Sequence, residues 1–207
     1  MDKNRKRMET MHRLRTKGLE LFYQKGYHTT SIDDILRELS LSKGAFYHHF
    51  KSKEDFFISI VQNIVAKKVY ALLIDPLTHD KSPIPAILDS IENAIETAEH
   101  NQMDCGFVLA NFLNEFNKTD NHVIPYLRDI LRIWEVNLIS LLKKGRSDGH
   151  INWSVNCDEA ATYIIASYMG IRTMMVGANS KLVKYQYLQQ LKAYLHSMEK
   201  KNETIAY

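Results

Sequence analysis

Residues 42–53 bring basic, aromatic and small side chains together in one short segment, SKGAFYHHFKSK. Lys43 can donate hydrogen bonds to O6 and N7 of guanine. The small residues Gly44 and Ala45 allow the backbone and a methyl group to approach base edges closely. These side chain types predict direct reading of a DNA major groove.

The same segment offers groups for phosphate. Tyr47, His48 and Lys53 have the spacing that suits flanking phosphates, which position a protein without reading sequence. Ser42 is the predicted N-cap of a short helix, and the free N–H groups at the start of that helix would suit an anion. For His49 the sequence leaves packing, capping and base contact open.

Two predicted helices position this segment. Thr30 and Ser31 each have an Asp three residues later, which is capping-box spacing, at the start of a helix that ends near Leu39. Ser40 and Leu41 then form a tight connection to a short helix that runs from Ser42 to about His49. A helix-turn-helix unit follows, packed on a first helix at about 5–25. Its predicted core residues are Leu21, Phe22, Ile35, Leu39, Leu41, Phe46 and Phe50.

Helical patterns continue to the end of the chain, whereas strand patterns are nearly absent. The sequence therefore predicts an all-α fold of about nine helices. Beyond residue 52 the expected helices lie at about 53–74, 83–101, 105–117, 123–145, 157–177 and 181–200.

Charge is distributed unevenly along the chain. Residues 1–53 carry a net charge of +6 and residues 54–207 a net charge of −3. A basic first quarter on a mildly acidic body is expected of a nucleic-acid reader joined to another module, although a solvated charged face would look the same.

Composition excludes several other classes of protein. The hydrophobic share of 45% disfavours disorder, and no long uncharged apolar stretch or apolar N-terminal segment suggests a membrane or a signal peptide. Two cysteines do not form a disulfide framework, so we expect a cytoplasmic protein. Because nucleotide, zinc and metalloprotease motifs are missing, we expect no catalytic residues, no metal and no cofactor.

Residues 26–57, GYHTTSIDDILRELSLSKGAFYHHFKSKEDFF, resemble the DNA-binding domain of the TetR (tetracycline-repressor) family. The resemblance is dense over about thirty residues, and 105–116 is similar to a segment of many C-terminal domains of that family. Ser40 departs from the pattern, because the family has Gly there. We therefore expect Ser40 in the left-handed conformation, at a cost of about 1 kcal/mol.

The resemblance implies a DNA-binding domain at 1–52 and a ligand-binding and dimerisation domain at 53–207. It implies a homodimeric transcriptional regulator, a repressor, that binds a palindromic double-stranded DNA operator and is released by a small-molecule effector. The implied DNA-facing residues are Thr30, Ser31, Ser42, Lys43, Gly44, Ala45, Tyr47, His48, His49 and Lys53.

The effector site implied by the resemblance lies between about residues 83 and 176. Arg172 is the most distinctive candidate, because a charge inside an apolar helix needs a partner. That partner is an acidic effector, an internal carboxylate such as Glu115, or a contact at a subunit interface. The full candidate set is Met103, Phe107, Asn111, Phe112, Tyr126, Trp134, Tyr163, Tyr168, Arg172 and Met175, for each of which ordinary core packing is the alternative.

The last two predicted helices are too apolar for a simple surface stripe, which favours a two-fold helical interface over an intramolecular core. The expected interface residues are Ile164, Tyr168, Ile171, Met175, Leu188, Leu191 and Leu195.

Two alternative functions remain open. Cys105, near a helix start, raises the possibility of a regulator that senses thiol-reactive compounds, although Asp104 would oppose thiolate formation. A helical ligand carrier or an enzyme without DNA binding is the other alternative, and sequence-specific DNA binding would exclude it.

Overall fold

The computed structural model describes residues 2–78, 82–99, 106–116, 122–177 and 180–200. Within these ranges the chain forms nine helices and no strand, apart from one isolated antiparallel bridge between Ile151 and Glu199. The prediction of an all-α fold is confirmed. The helices are α1 Asp2–Lys25, α2 Ile32–Leu39, α3 Lys43–Tyr47, α4 Lys53–Ile74, α5 Pro83–Glu99, α6 Val108–Phe116, α7 Ile124–Ser147, α8 Cys157–Gly177 and α9 Ser180–Ser197.

Helix α4 contains two π-helical turns, at Val61–Val65 and Tyr70–Ile74, which the sequence did not predict. By length and composition it is the one described helix that is apolar enough to cross a membrane. This is weak evidence for a membrane span, because a buried core helix can have the same length and composition. The side chains of Phe56, Phe57 and Ile60 are fully buried, as expected for a core helix.

The chain divides into two compact units. The first comprises Met1–Lys68 and Val108–Ile130 and contains the helix-turn-helix. Here α1 packs against α2, α4 and α6. Gly18 allows the close approach of α1 and α4, because a Cβ atom at this position would lie 2.5 Å from Cζ of Phe56.

The second unit comprises Val69–Phe107 and Leu131–Tyr207. In it α9 packs against α8 and α5, and α5 packs against the last turns of α4. Trp134 and Leu195 are among its fully buried side chains. The two units are defined by the compactness of the fold. The expected boundary near residue 53 separates DNA binding from ligand binding and dimerisation, and it stays a prediction.

Candidate DNA-binding site

Serine caps fix the beginnings of α2 and α3. Ser31 accepts a hydrogen bond from the Asp34 amide, and the Asp34 carboxylate accepts one from the Ser31 amide, which completes a capping box. The Ser31 hydroxyl also donates to the Asp34 carboxylate, and this hydrogen bond, followed by the one from the Ser31 amide, lowers the pKa of Asp34. At α3, Oγ of Ser42 accepts from the Ala45 amide at 3.2 Å. Both predicted caps are confirmed, and the Ala45 amide is already occupied.

The two helices are anchored by aromatic core residues. Phe46 and Phe50 are buried, and their rings lie 5.2 and 4.7 Å from the ring of Phe56. This confirms the prediction that they belong to the core. The packing holds α3 so that Gly44, Tyr47 and His48 are exposed, and Tyr47 retains 58% of its accessible surface.

Lys43 is exposed at the start of α3 and forms an ion pair with Asp33 on α2, with Nζ and Oδ2 2.9 Å apart. The hydrogen bond to Asp33 raises the pKa of Lys43. The ammonium group is thus charged and accessible, but a carboxylate holds it until a base or phosphate replaces that partner.

The connection between α2 and α3 depends on Ser40. Its φ of 52° is in the left-handed region, and it is the one residue other than glycine with positive φ among those described. Its amide donates to the carbonyl of Arg37 at 3.2 Å. The left-handed conformation expected for Ser40, where the family has Gly, is confirmed.

Thr30 is buried, unlike the other residues that were expected to face DNA. Only 1% of it is exposed, and its hydroxyl donates to the carbonyls of Gly26 and Leu21. Its side chain therefore stabilises the turn between α1 and α2 and has no surface to offer DNA.

Lys53 is half-buried. Its Nζ donates to the carbonyl of Tyr27 at 2.5 Å and lies 4.2 Å from the centre of the Tyr27 ring. Burial lowers its pKa, while the charge of Glu115 acts in the opposite direction. Lys53 therefore joins α4 to the α1–α2 turn, and a phosphate would have to share or replace these contacts.

The C-terminal end of α6 contacts the same turn. Oε1 of Glu115 accepts a hydrogen bond from the His28 amide at 3.1 Å. The ring of Phe116 packs 4.7 Å from Tyr27 and 4.9 Å from Phe57. No local sequence pattern indicates this contact, beyond the general likeness of 105–116 to a family segment.

Part of the expected effector set lies together in the second unit. The rings of Phe107, Trp134 and Tyr168 contact one another edge to face, with centroids 5.2 to 6.2 Å apart. Arg172 is buried and donates from Nη2 to the carbonyl of Gly106 at 3.0 Å. Met175 is also buried.

The other expected effector residues are placed elsewhere. Asn111, Phe112 and Tyr126 belong to the first unit, where Phe112 packs against Phe57 at 4.8 Å. Tyr163 is in the second unit, 49% exposed, and its ring lies 4.3 Å from that of Tyr194 in a tilted arrangement. Met103 and Cys105 lie outside the described residues.

The expected dimer residues are covered within a single chain. Helices α8 and α9 pack against each other, Leu188 is half-buried, and the remaining members are buried. Those buried residues are Ile164, Tyr168, Ile171, Met175, Leu191 and Leu195. The exposed apolar side chains of the two helices include Met174, Leu182 and Tyr185.

Across the described residues, no group of three or more His, Cys, Asp or Glu side chains could hold a metal ion. Cys157, the described cysteine, is buried.

Two family profiles match the chain. Residues 14–60 match the profile described as bacterial regulatory proteins of the tetR family, and residues 83–182 match the tetracyclin repressor-like C-terminal domain. Together the two profiles take in most of the chain.

Similar proteins agree with these matches. The HTH-type transcriptional repressor DhaR of Mycobacterium sp. (strain GP1) is 25% identical over 161 residues, which are 74% of this chain and 76% of DhaR. A TetR transcriptional regulator from Chloroflexus aurantiacus J-10-FL superposes with a TM-score of 0.85 at 25% identity, covering 96% of this chain and 100% of that one. The fold is also similar to that of FadR from Bacillus subtilis in complex with stearoyl-CoA, with a TM-score of 0.71, 16% identity and coverage of 88% and 97%.

The fold and the exposed helix α3 define a helix-turn-helix transcriptional regulator. The chain belongs to the TetR family.

Proposed function

We propose that the protein is a homodimeric repressor that binds an operator through the exposed face of α3 and leaves it when a small molecule binds the second unit. The observation that carries the DNA-binding part is the geometry of α3. Its core side chains are buried, while Lys43, Gly44 and Tyr47 are exposed along one short helix. A cytoplasmic location belongs to this proposal.

Direct reading of bases should make binding sequence-specific. The test is a competition with labelled DNA from upstream of the protein's own gene against unlabelled random duplex at moderate salt. Specific regulators bind their sites roughly a thousandfold or more tighter than random DNA. Equal competition by both DNAs would return the chain to the alternative of a helical ligand carrier or enzyme.

Effector binding is proposed for the region around Phe107, Trp134 and Tyr168. Arg172 lies buried beside this aromatic cluster through its contact with Gly106, which directly precedes Phe107. A buried guanidinium next to aromatic rings suits an effector with an acidic group and an apolar body. The structural relative FadR, which holds an acyl-CoA thioester, supports a small-molecule role for this fold.

The signal from effector to DNA is proposed to pass along α6. This helix begins just after Phe107 and ends with Glu115 and Phe116 against the α1–α2 turn. A ligand that moves α6 would change the contact that holds the turn, and it would shift the population only by its differential affinity for the two arrangements.

A pair of variants tests the contact made by α6. Glu115→Gln keeps an acceptor for the His28 amide, whereas Glu115→Ala removes it, and both remove the charge. We expect Glu115→Ala to bind operator about fivefold more weakly than Glu115→Gln, since one hydrogen bond contributes about 1 kcal/mol. Equal affinities for the two variants would exclude a role for this hydrogen bond.

The dimer interface is proposed on the exposed faces of α8 and α9. On α8 the positions Ala166, Gly170, Met174 and Gly177 are exposed at helical spacing, and a Cβ atom at either glycine would meet nothing within 4 Å. Such a small-residue face permits close approach of a partner helix, and Leu182 and Tyr185 on α9 add apolar surface.

A further inference from the structure

Two neighbouring carboxylates lie in the first turn of helix α2, and they have different partners. Asp34 completes the capping box with Ser31 and pairs with Arg37 at 3.3 Å, so it stabilises α2 itself. Asp33 takes no part in this capping box and pairs with Lys43 on α3, with Oδ2 and Nζ 2.9 Å apart. The Asp33 carboxylate therefore acts on the residue that is proposed to read bases.

The pair of Asp33 and Lys43 is accessible to DNA. The side chain of Lys43 is 68% exposed and that of Asp33 is 54% exposed. In a helix-turn-helix unit the second helix enters the major groove, while the first helix crosses the DNA backbone. Asp33 thus lies on the helix that is expected to approach phosphates, where its negative charge opposes DNA binding.

Different DNA acceptors compete with Asp33 for Lys43 to different extents. A phosphate replaces one anion by another, and it leaves the Asp33 carboxylate unpaired beside a negatively charged backbone. A correctly placed guanine offers O6 and N7 together to the ammonium group, which can donate three hydrogen bonds. The ion pair therefore disfavours a phosphate contact of Lys43 more than it disfavours a base contact.

We propose that Asp33 is a positioning residue that sets sequence specificity, because it withholds Lys43 from phosphates on random DNA and releases it to guanine in the operator. Specificity is a difference between two affinities, and a lower affinity for the wrong DNA increases it. The inference rests on the proposed DNA-binding function. It adds a residue from outside the expected DNA-facing set, and that residue acts by weakening the wrong complexes.

The first experiment measures the salt dependence of binding to a labelled random-sequence duplex by fluorescence anisotropy. Asp33→Asn keeps the size of the side chain and removes its charge, so Lys43 becomes free to contact a phosphate. One additional phosphate contact makes the log–log slope more negative by about 0.9, so Asp33→Asn should lose about 3.5-fold more affinity than wild type between 50 and 200 mM salt. Equal slopes for wild type and Asp33→Asn overturn the proposal.

Glu38→Gln is the matched control, because it removes one negative charge from another exposed position on α2. The pKa of Lys17 is raised by Glu20 and, more weakly, by Glu38, whereas Glu38 does not contribute to the raised pKa of Lys43. Glu38→Gln should therefore keep the wild-type slope on random DNA. A change of slope as large as that of Asp33→Asn would assign the effect to net charge and overturn the proposal.

The second experiment compares random duplex with the DNA from upstream of the protein's own gene. In the operator complex Lys43 already contacts guanine, so Asp33→Asn should keep the wild-type slope on this DNA. The ratio of operator affinity to random affinity at 50 mM salt should fall roughly tenfold, which is what one phosphate contact contributes at that concentration. An unchanged ratio overturns the role of Asp33 in specificity.

The third experiment introduces Lys43→Ala into the wild type and into Asp33→Asn, which forms a double-mutant cycle. On random DNA, Lys43→Ala should change little in the wild type, but it should remove the whole gain of Asp33→Asn, since that gain needs the ammonium group. A gain that persists in the double variant would show that Asp33 acts on the phosphates directly, and it would overturn a role through Lys43.

Folding is controlled independently of DNA binding. Circular dichroism and urea denaturation should show a folded Asp33→Asn protein, because the capping box of α2 does not include Asp33. Asp33→Ala, a second neutral variant, should give the same slopes. A wild-type protein that binds neither operator nor random duplex contradicts the proposed function itself, whereas wild-type binding with an unchanged slope in both Asp33 variants contradicts this inference alone.

Discussion

Lys43 has one partner in the structure and a different proposed partner in the complex with DNA. Without DNA its ammonium group pairs with Asp33 at 2.9 Å on the surface, where ion pairs are weak and readily exchanged. Guanine O6 and N7 can therefore replace Asp33 at little cost, which would make Lys43 a reader of bases.

Lys43→Ala should weaken operator binding far more than binding to random DNA, by roughly five- to 150-fold for one lost base contact. Competition binding with both DNAs measures the difference. Lys67→Ala, which removes the same charge from an exposed position on α4, is the control and should affect both DNAs little. Equal losses on both DNAs for Lys43→Ala would exclude base reading.

Lys53 has a structural contact in addition to its predicted role. Lys53→Ala should weaken operator and random DNA alike and make the salt slope less negative by about one unit. Since its Nζ also donates to the Tyr27 carbonyl, the free energy of unfolding should fall by about 1 kcal/mol. Salt titrations and urea denaturation measure the two effects, and lower stability with an unchanged slope would leave Lys53 only the structural role.

Ser40 gives a prediction about backbone strain. Ser40→Gly should raise the free energy of unfolding by about 1 kcal/mol, because glycine adopts the left-handed conformation without a Cβ clash. Ser40→Ala keeps the Cβ atom and should show no such gain. Urea denaturation of the two variants measures the difference, and equal stabilities would contradict the strain.

At the scale of elements, the packing of α1 on α4 depends on a missing side chain. Gly18→Ala would place a Cβ atom 2.5 Å from Phe56 and 2.9 Å from Ile60, so overpacking should cost about 1–3 kcal/mol. Gly44→Ala on α3 is the matched control for unfolding without DNA, because the nearest atom to its Cβ position is Oγ of Ser42 at 3.8 Å and helix propensity favours alanine there. Thermal unfolding should show a lower Tm for Gly18→Ala than for Gly44→Ala.

Helix α6 makes a contact that its own sequence does not indicate. Its sequence, VLANFLNEF, suggests an amphipathic helix with aromatic core positions. The tertiary structure adds that its end lies against the turn that precedes the reading helices. An element expected to line an effector site thus belongs to the first unit and contacts its α1–α2 turn.

At the scale of the whole molecule, the proposed function pairs the helix-turn-helix units of two chains. Met174→Glu, on the exposed face of α8, should convert the proposed dimer to monomers, since a charge would be buried in an apolar contact. Light scattering coupled to size exclusion measures the mass. Val136→Glu, an equally exposed apolar position on α7, should leave the mass unchanged. A dimeric Met174→Glu protein would place the interface elsewhere.

The sequence by itself determined the helical class, the caps at Ser31 and Ser42, the core positions Phe46 and Phe50, the strained Ser40 and the family. These features depend on residues within a few positions of one another, and so local rules suffice for them.

Only the tertiary structure decided which side chains are covered and by what. Helical periodicity shows that α8 has an apolar face, but it does not show whether α9 of the same chain or a second chain covers it, and the covered residues here are Ile164, Ile171 and Leu195. Lys53 and Glu115 likewise find partners contributed by other parts of the chain, 26 positions away for Tyr27 and 87 positions away for His28. Such partners are fixed by the packing of elements distant in sequence, which a local pattern does not encode.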